Sequence, residues 1–175
     1  MLITVSGLPG SGTSSISSIL SKHYGMQLIS AGSVFRSLAK EHNMTLEEFG
    51  HNAEKDSSID LMIDERQREI AEKEENVILE GRLAGHMAKS GFSIWLKAPF
   101  DIRVERIAGR EHSTYDTVYA ETKKRELSES LRYKEIYGID LEDHSIYDIV
   151  LDSKNWNPDN LSKILIVAID NYNCE

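Results

Sequence analysis

Apolar positions along the chain gather into five short blocks with little polar alternation: LITVS (Leu2 to Ser6), MQLIS (Met26 to Ser30), NVILE (Asn76 to Glu80), SIWLK (Ser93 to Lys97) and DIVLD (Asp148 to Asp152). Short, β-branched runs of this kind predict strands covered on both faces. Between them the apolar spacing changes to the helical period, predicting helices at about Gly12 to His23, Gly32 to Glu41, Ile59 to Glu74, Arg82 to Lys89, Pro99 to Arg110 and Thr114 to Tyr137. A last helix follows NWNPDN, where Asn157 can cap and Pro158 can occupy the first turn. Regular succession of strand and helix implies α/β architecture, a parallel sheet sandwiched by helices. The expectation is one domain over residues 1–175, with stretches near 33–70 and 109–125 inserted over the sheet edge.

Composition narrows the class. With 40% hydrophobic and 28% charged residues over 175 positions, the chain can bury a substantial core, so disorder is not the default reading. The longest apolar runs, such as Ile164 to Ile169, fall far short of the roughly 18 residues of a membrane span. The N-terminus has no basic region followed by an apolar core, so a cytoplasmic protein without a membrane partner is expected. Cys174 is the only cysteine and cannot form an internal disulfide, and the six histidines lack metal-ligand spacing. A net charge of -9 argues against a nucleic-acid or membrane surface. Any polyanion bound here should be small and locally gripped.

The segment VSGLPGSGTSS has the spacing of the phosphate-binding loop G-x-x-x-x-G-K-[ST], with Gly7, Gly12 and Ser14 in place and Thr13 where the lysine belongs. It follows the first predicted strand and opens the first predicted helix, the setting that motif requires. Gly7, Gly10 and Gly12 are expected to take positive φ and turn N–H groups toward a phosphate, while Ser14 offers a hydroxyl to Mg²⁺. A glycine-rich turn without a ligand is the plain alternative, and the missing lysine favours it. An ammonium about 4 Å from a phosphate charge is worth on the order of 4 kcal/mol at an effective dielectric near 20, so other cations must compensate. Arg103, Arg106, Arg110, Arg125 and Arg132 fall within one 30-residue segment and can do so through fork-shaped contacts with phosphate.

Three further groups carry chemistry. SAGSVFR leads from the second strand into a helix bearing Arg36; Glu80 ends an apolar strand with Arg82 two residues on; and Arg125, Glu129 and Arg132 share one helical face. Each also has an ordinary reading, as a solvated arginine, a loop-capping carboxylate or an exposed ion pair worth a few tenths of a kcal/mol.

In this order, the phosphate loop, SAGSVFR, ILEGR, RIAGR (Arg106 to Arg110) and RELSESLR (Arg125 to Arg132) resemble the nucleoside monophosphate kinases, most of all the archaeal cytidylate kinases, where GSGT in place of GSGK is tolerated. The resemblance runs from Met1 to about Asp152. It implies a three-layer P-loop kinase fold with a five-stranded parallel sheet, an NMP-binding insertion over about 33–70 and a lid over about 109–125. It also implies transfer of the γ-phosphoryl group of ATP, with Mg²⁺, to CMP or dCMP by a monomer. Gly7, Leu8, Pro9, Gly10, Ser11, Gly12, Thr13, Ser14 and Ser15 would cradle ATP, with Arg106 against the adenine. Ser14 and Glu80 would serve Mg²⁺. Arg82, Arg110, Arg125 and Arg132 would act on the transferring phosphate, and Arg36, Arg82, Asp60 and Glu129 would hold the acceptor.

Glu129 stands where bacterial cytidylate kinases resemble one another in having aspartate. The arginine and aspartate of their cytosine pockets are absent, with Asp60 and Leu83 at those places, so Asp60, Asp64 and Gln67 of DLMIDERQ are the candidates for reading the base. Arg103, EKEEN (Glu72 to Asn76) and the pair Lys123 and Lys124 are expected to be solvated faces. Two alternatives stay open. An adenylate kinase would resemble D-G-[FYI]-P-R where this chain has EGR, and a non-catalytic nucleotide-binding regulator would account for the missing lysine.

Overall fold

In the computed structural model, which describes residues 1–45, 48, 49, 52, 56 and 58–172, the apolar blocks become the strands β1 (Leu2–Gly7), β2 (Gln27–Ser30), β3 (Val77–Glu80), β4 (Phe92–Lys97) and β5 (Ile149–Asp152). They pair in parallel in the order β2-β3-β1-β4-β5. Register places Val5 beside Glu80 and Ser6 beside Trp95. Coverage on both faces holds for the central strand β1, buried throughout, while β2 lies at the edge and exposes Gln27. Cys174 lies outside the described residues.

Alternate residues along each central strand feed two cores, as a pleat buried on both faces requires. On one face Ile3, Val5, Ile78, Ile94 and Leu96 pack against Ile16 and Leu20 of α1 (Thr13–Tyr24) and Leu161 and Leu165 of α7 (Pro158–Asp170). On the other, Trp95 meets Leu83, Tyr133 and Tyr147, and Val77 and Leu79 meet Ala84, with Ile70 packed beside them. The elements on this second face are α3 (Ser58–Lys73), α4 (Ala84–Met87) and α6 (Tyr115–Tyr137). Each fully buried Leu or Ile contributes about 1.5–3 kcal/mol, so the sheet is the stable frame on which the loops are hung.

Local signals set the helix ends. Ser30 and Ser33 form a capping box at the start of α2 (Ala31–Glu41), Thr114 accepts from Thr117 N at the start of α6, and Asn157 accepts from Asn160 N ahead of Pro158. Gly25 and Gly138 close α1 and α6 in the left-handed conformation. The remaining helix, α5 (Phe100–Glu111), packs on α6 through Val104, Ile107 and Val118.

The helix predicted over Arg82 to Lys89 shrinks to the single turn α4. Gly85 within it and Gly81 before it are committed to close packing: a Cβ on Gly85 would stand 2.5 Å from the Tyr147 ring, and one on Gly81 would stand 3.1 Å from Gln67 Nε2. The stretch 33–70 holds most of α2 and the first part of α3, and 109–125 holds the end of α5 and the first half of α6. Among the described residues, no helix is long and apolar enough to cross a membrane.

Candidate active site

Parallel strands send all their C-terminal ends to one edge of the sheet, and the order reverses at β1, whose neighbours are β3 and β4. The crevice beyond such a reversal is where α/β sheets bind ligands. Here β1 leads into the glycine-rich loop, β3 ends on Glu80, β2 delivers Arg36 through α2, β4 leads into α5, and β5 ends beside Ser153.

The loop from Gly7 to Ser15 wraps the start of α1. Gly10 and Gly12 have φ of 80° and 102°, as expected, but Gly7 does not belong to the positive-φ glycines. Its need for hydrogen is steric: a Cβ there would collide with the Leu96 carbonyl and stand 2.5 Å from Ser11 Oγ. The first N–H groups of α1 have no side-chain cap, which leaves them to an anion. Ser14 and Ser15 are exposed, whereas Ser11 is fully buried.

Three successive loop carbonyls are held from behind. Arg103 Nη1 donates to Pro9 O at 3.0 Å, Arg106 Nη1 to Gly10 O at 3.2 Å, and Ser153 Oγ to Ser11 O at 2.7 Å. Arg106 also donates to Ser153 Oγ and Ser153 O, both at 2.9 Å. Arg103 is therefore not the solvated surface residue expected. It is 4% exposed, donates to Ala98 O at 3.1 Å, lies over the Phe100 ring and forms a paired salt bridge with Glu126 of α6. The reason is geometric, because α5 packs so tightly under the loop that a Cβ on Gly10 would stand 2.5 Å from the Arg103 carbonyl oxygen.

Thr13, in the lysine position, donates from its hydroxyl to Glu80 Oε1 at 2.7 Å, and Ser14 Oγ reaches the same oxygen at 3.3 Å. A loop hydroxyl and a strand-end carboxylate, far apart in sequence, thus meet at one point. Two hard protein oxygens, with phosphate oxygens and water completing the shell, form the donor set that suits Mg²⁺. Gln67 Nε2 holds the Glu80 carbonyl at 3.1 Å and fixes the strand end. Among the described residues, no cluster of three or more His, Cys, Asp or Glu could form an all-protein metal site.

Across the crevice, α6 and α3 carry the remaining charges. Glu129, buried on α6, is bound by Arg82 and accepts from Arg125 Nε at 2.8 Å, while Arg132 pairs with Asp60 at 2.8 Å and donates to Ser128 Oγ at 2.8 Å. Burial lowers Arg82 below the ordinary arginine value, with Tyr133 opposing and Arg125 adding to the shift. Arg82 and Arg125 thus meet at Glu129, and Arg132, one helical turn further along α6, meets Asp60 of α3. Arg36 is exposed and forms no ion pair with a described residue, and Arg110 reaches only its neighbour Glu111 at 2.8 Å.

Asp64 is 8% exposed and accepts from Tyr137 Oη at 2.9 Å. Burial pushes its carboxyl up to about 6, opposed by the Tyr137 hydrogen bond and assisted by Asp60. Together with the pair formed by Asp60 and Arg132, it fastens α3 to the C-terminal half of α6.

Sequence reasoning missed Glu126, Ser153 and Tyr137, and it missed the place of Arg103, which it named both among the cations near phosphate and as a solvated residue. Arg103, Arg106 and Arg110 repeat at three and four, so they share a face of α5, a signal against setting Arg103 apart as solvated. Ser153 and Tyr137 carried no comparable sign.

Residues 2–155 match the family described as "Cytidylate kinase-like family". A cytidylate kinase of Methanococcoides burtonii is 55% identical over 170 residues, 97% of each chain, and one of Pyrococcus furiosus is 47% identical over 171 residues, 97% of this chain and 88% of that one. Among solved structures, an uncharacterized protein from Eubacterium ventriosum superposes with a TM-score of 0.74 at 19% identity, covering 98% of this chain and 99% of that one. Shikimate kinase from Aquifex aeolicus gives 0.61 at 20% identity over 97% and 96%. The structural likenesses speak for the P-loop kinase fold alone. A family match over almost the whole length, joined to a phosphate loop, a strand-end carboxylate and a convergent arginine group, leads to one assignment: the chain belongs to the cytidylate kinase-like family.

Proposed function

We propose that this protein transfers the γ-phosphoryl group of Mg-ATP to CMP or dCMP, yielding ADP and CDP or dCDP. The observation that carries this reading is identity of 55% over 97% of the chain to a protein named cytidylate kinase. In it, the loop Gly7 to Ser15 cradles the donor phosphates on its N–H groups, and Arg106 offers the adenine its guanidinium face. Ser14 and Glu80 hold Mg²⁺, which when bound neutralises charge on the β- and γ-phosphates. Arg36 grips the acceptor phosphate, Arg82, Arg125 and Arg132 surround the group in transfer, and Arg110 joins them from the lid. Glu129 serves the acceptor sugar and Asp60 its base pocket.

The acceptor oxygen is already anionic, so no general base is assigned. The residues act by placing two mutually repelling polyanions in line and neutralising them. Lid closure over 109–125 excludes water, the competing acceptor. One chain carries the full set of residues, so the proposed working unit is a monomer, and the proposed compartment is the cytoplasm. The test is ADP release with CMP, dCMP, UMP or AMP as acceptor. Release with CMP and dCMP well above UMP and AMP is expected. Preference for AMP would make the protein an adenylate kinase, and no release with any acceptor would favour a regulator that only binds nucleotide, the reading Thr13 invites.

A further inference from the structure

We propose that Arg103 is a positioning residue: it holds the phosphate loop in its nucleotide-binding shape and ties that shape to the lid helix α6 through Glu126. The inference rests on the reading of Gly7 to Ser15 as the ATP loop. Two independent features place Arg103. Its backbone lies directly under Gly10, where no side chain fits, and its guanidinium spans Pro9 O, Ala98 O and both carboxylate oxygens of Glu126 while being 4% exposed.

The paired glutamate decides what kind of contribution this is. With Glu126 bound at the same guanidinium, the pair is close to neutral, so Arg103 is not a substitute for the missing lysine charge. What it supplies is direction. A donor behind the Pro9 carbonyl turns that peptide outward, next to Gly10 and Ser11, whose carbonyls are held by Arg106 and Ser153; Ser11 N–H turns back to Leu8 O at 3.1 Å, and the N–H groups of Gly10 and Gly12 are left to face the phosphate. In a loop that keeps its lysine, the ammonium and the bound phosphate hold one another in place. Here the shape is held from the protein side.

Glu126 adds the link to the lid. It lies between Arg125 and Glu129 on the helix that carries the acceptor-side group, so a shift of α6 is felt at Arg103 and from there at Pro9.

The test measures Kd for a non-hydrolysable ATP analogue and, separately, for CMP by calorimetry, with thermal melts, on wild type, Arg103→Met, Arg103→Lys, Glu126→Gln and the double variant Arg103→Met with Glu126→Gln. Losing donors from a charged group should weaken the analogue about tenfold or more in Arg103→Met and leave CMP within about twofold. Arg103→Lys should recover part of that loss, Glu126→Gln should weaken the analogue about threefold, and the double variant should be no weaker than Arg103→Met alone. Unchanged analogue affinity in Arg103→Met and Glu126→Gln overturns the proposal, as does a parallel loss for analogue and CMP that tracks the fall in Tm. If Arg103→Met does not fold, Arg103→Lys and Glu126→Gln decide by the same criteria. A wild type that binds CMP but no analogue overturns the loop reading and this inference together. A wild type that binds both, with variants unchanged, overturns the inference alone.

Discussion

Asp64 shows how a single buried carboxyl shapes behaviour. Burial raises its folded-state value to about 6, above the ordinary 3.8, so between those values the folded protein binds a proton that the unfolded chain releases. Stability is therefore lost as pH rises through that window, by at most about 3 kcal/mol in all. Asp64→Asn removes the ionisation and keeps an acceptor for Tyr137. It should melt higher than wild type at pH 7.5 and lose that advantage by pH 4.5, and parallel melting curves across the range would dismiss the effect. Thr13 is the second residue whose environment sets an expectation. Its hydroxyl is spent on Glu80, and the arginines already gather on the far side of the crevice. Thr13→Lys should raise kcat for ADP formation by well under a hundredfold, and a larger gain would mean the site is short of positive charge.

At the scale of elements, the contact between α3 and α6 matters most. Asp60 pairs with Arg132 and Asp64 with Tyr137, so α3, proposed to line the acceptor side, is fastened to α6, which carries Arg125 and Arg132. Asp60 and Arg132 remain partly exposed, which keeps the pair's own worth small, about 1 kcal/mol or less. Its value is then orientation of Arg132 and shaping of the pocket. Asp60→Ala should raise KM for CMP about tenfold or more while moving KM for ATP by less than about threefold. An unchanged ratio of the two would remove Asp60 from the acceptor pocket. Helix ends were legible because they depend on neighbours in sequence: Asn157 before Pro158 stood out, and so did the start of α6 at Thr114. The turn after β3 was not, since Gly85 of α4 is packed against the Tyr147 ring, a contact between residues remote in the chain.

Across the whole molecule, rigidity and reach are divided between sheet and loops. Ile94 is fully buried on β4, between β1 and β5, and deleting its methyl groups opens a cavity that the sheet cannot close. Ile94→Ala should cost about 2–5 kcal/mol, read as a lower denaturant midpoint at unchanged m-value. A loss under about 1 kcal/mol would mean that β4 is not part of the rigid frame.

By itself, the sequence determined the elements and the chemistry they could carry. Unbroken apolar blocks specify strands, although full burial on both faces follows only for the strand in the middle of the sheet, and glycines at loop spacing before a helix specify a tight turn with free N–H groups; both follow from local sterics and periodicity. The shared face of Arg125, Glu129 and Arg132 was also within reach, because helical spacing fixes their relative positions, whereas Arg82 reaches Glu129 only through the packing of the β3 turn against α6. The tertiary structure alone decided which charges face the crevice and which brace it from behind. Arg103 has the same side chain as Arg106 and Arg110, and only the close seat of Gly10 on α5, with Glu126 arriving from α6, buries it under the loop. Burial and pairing are properties of the packed molecule, and a linear pattern of residue types does not contain them.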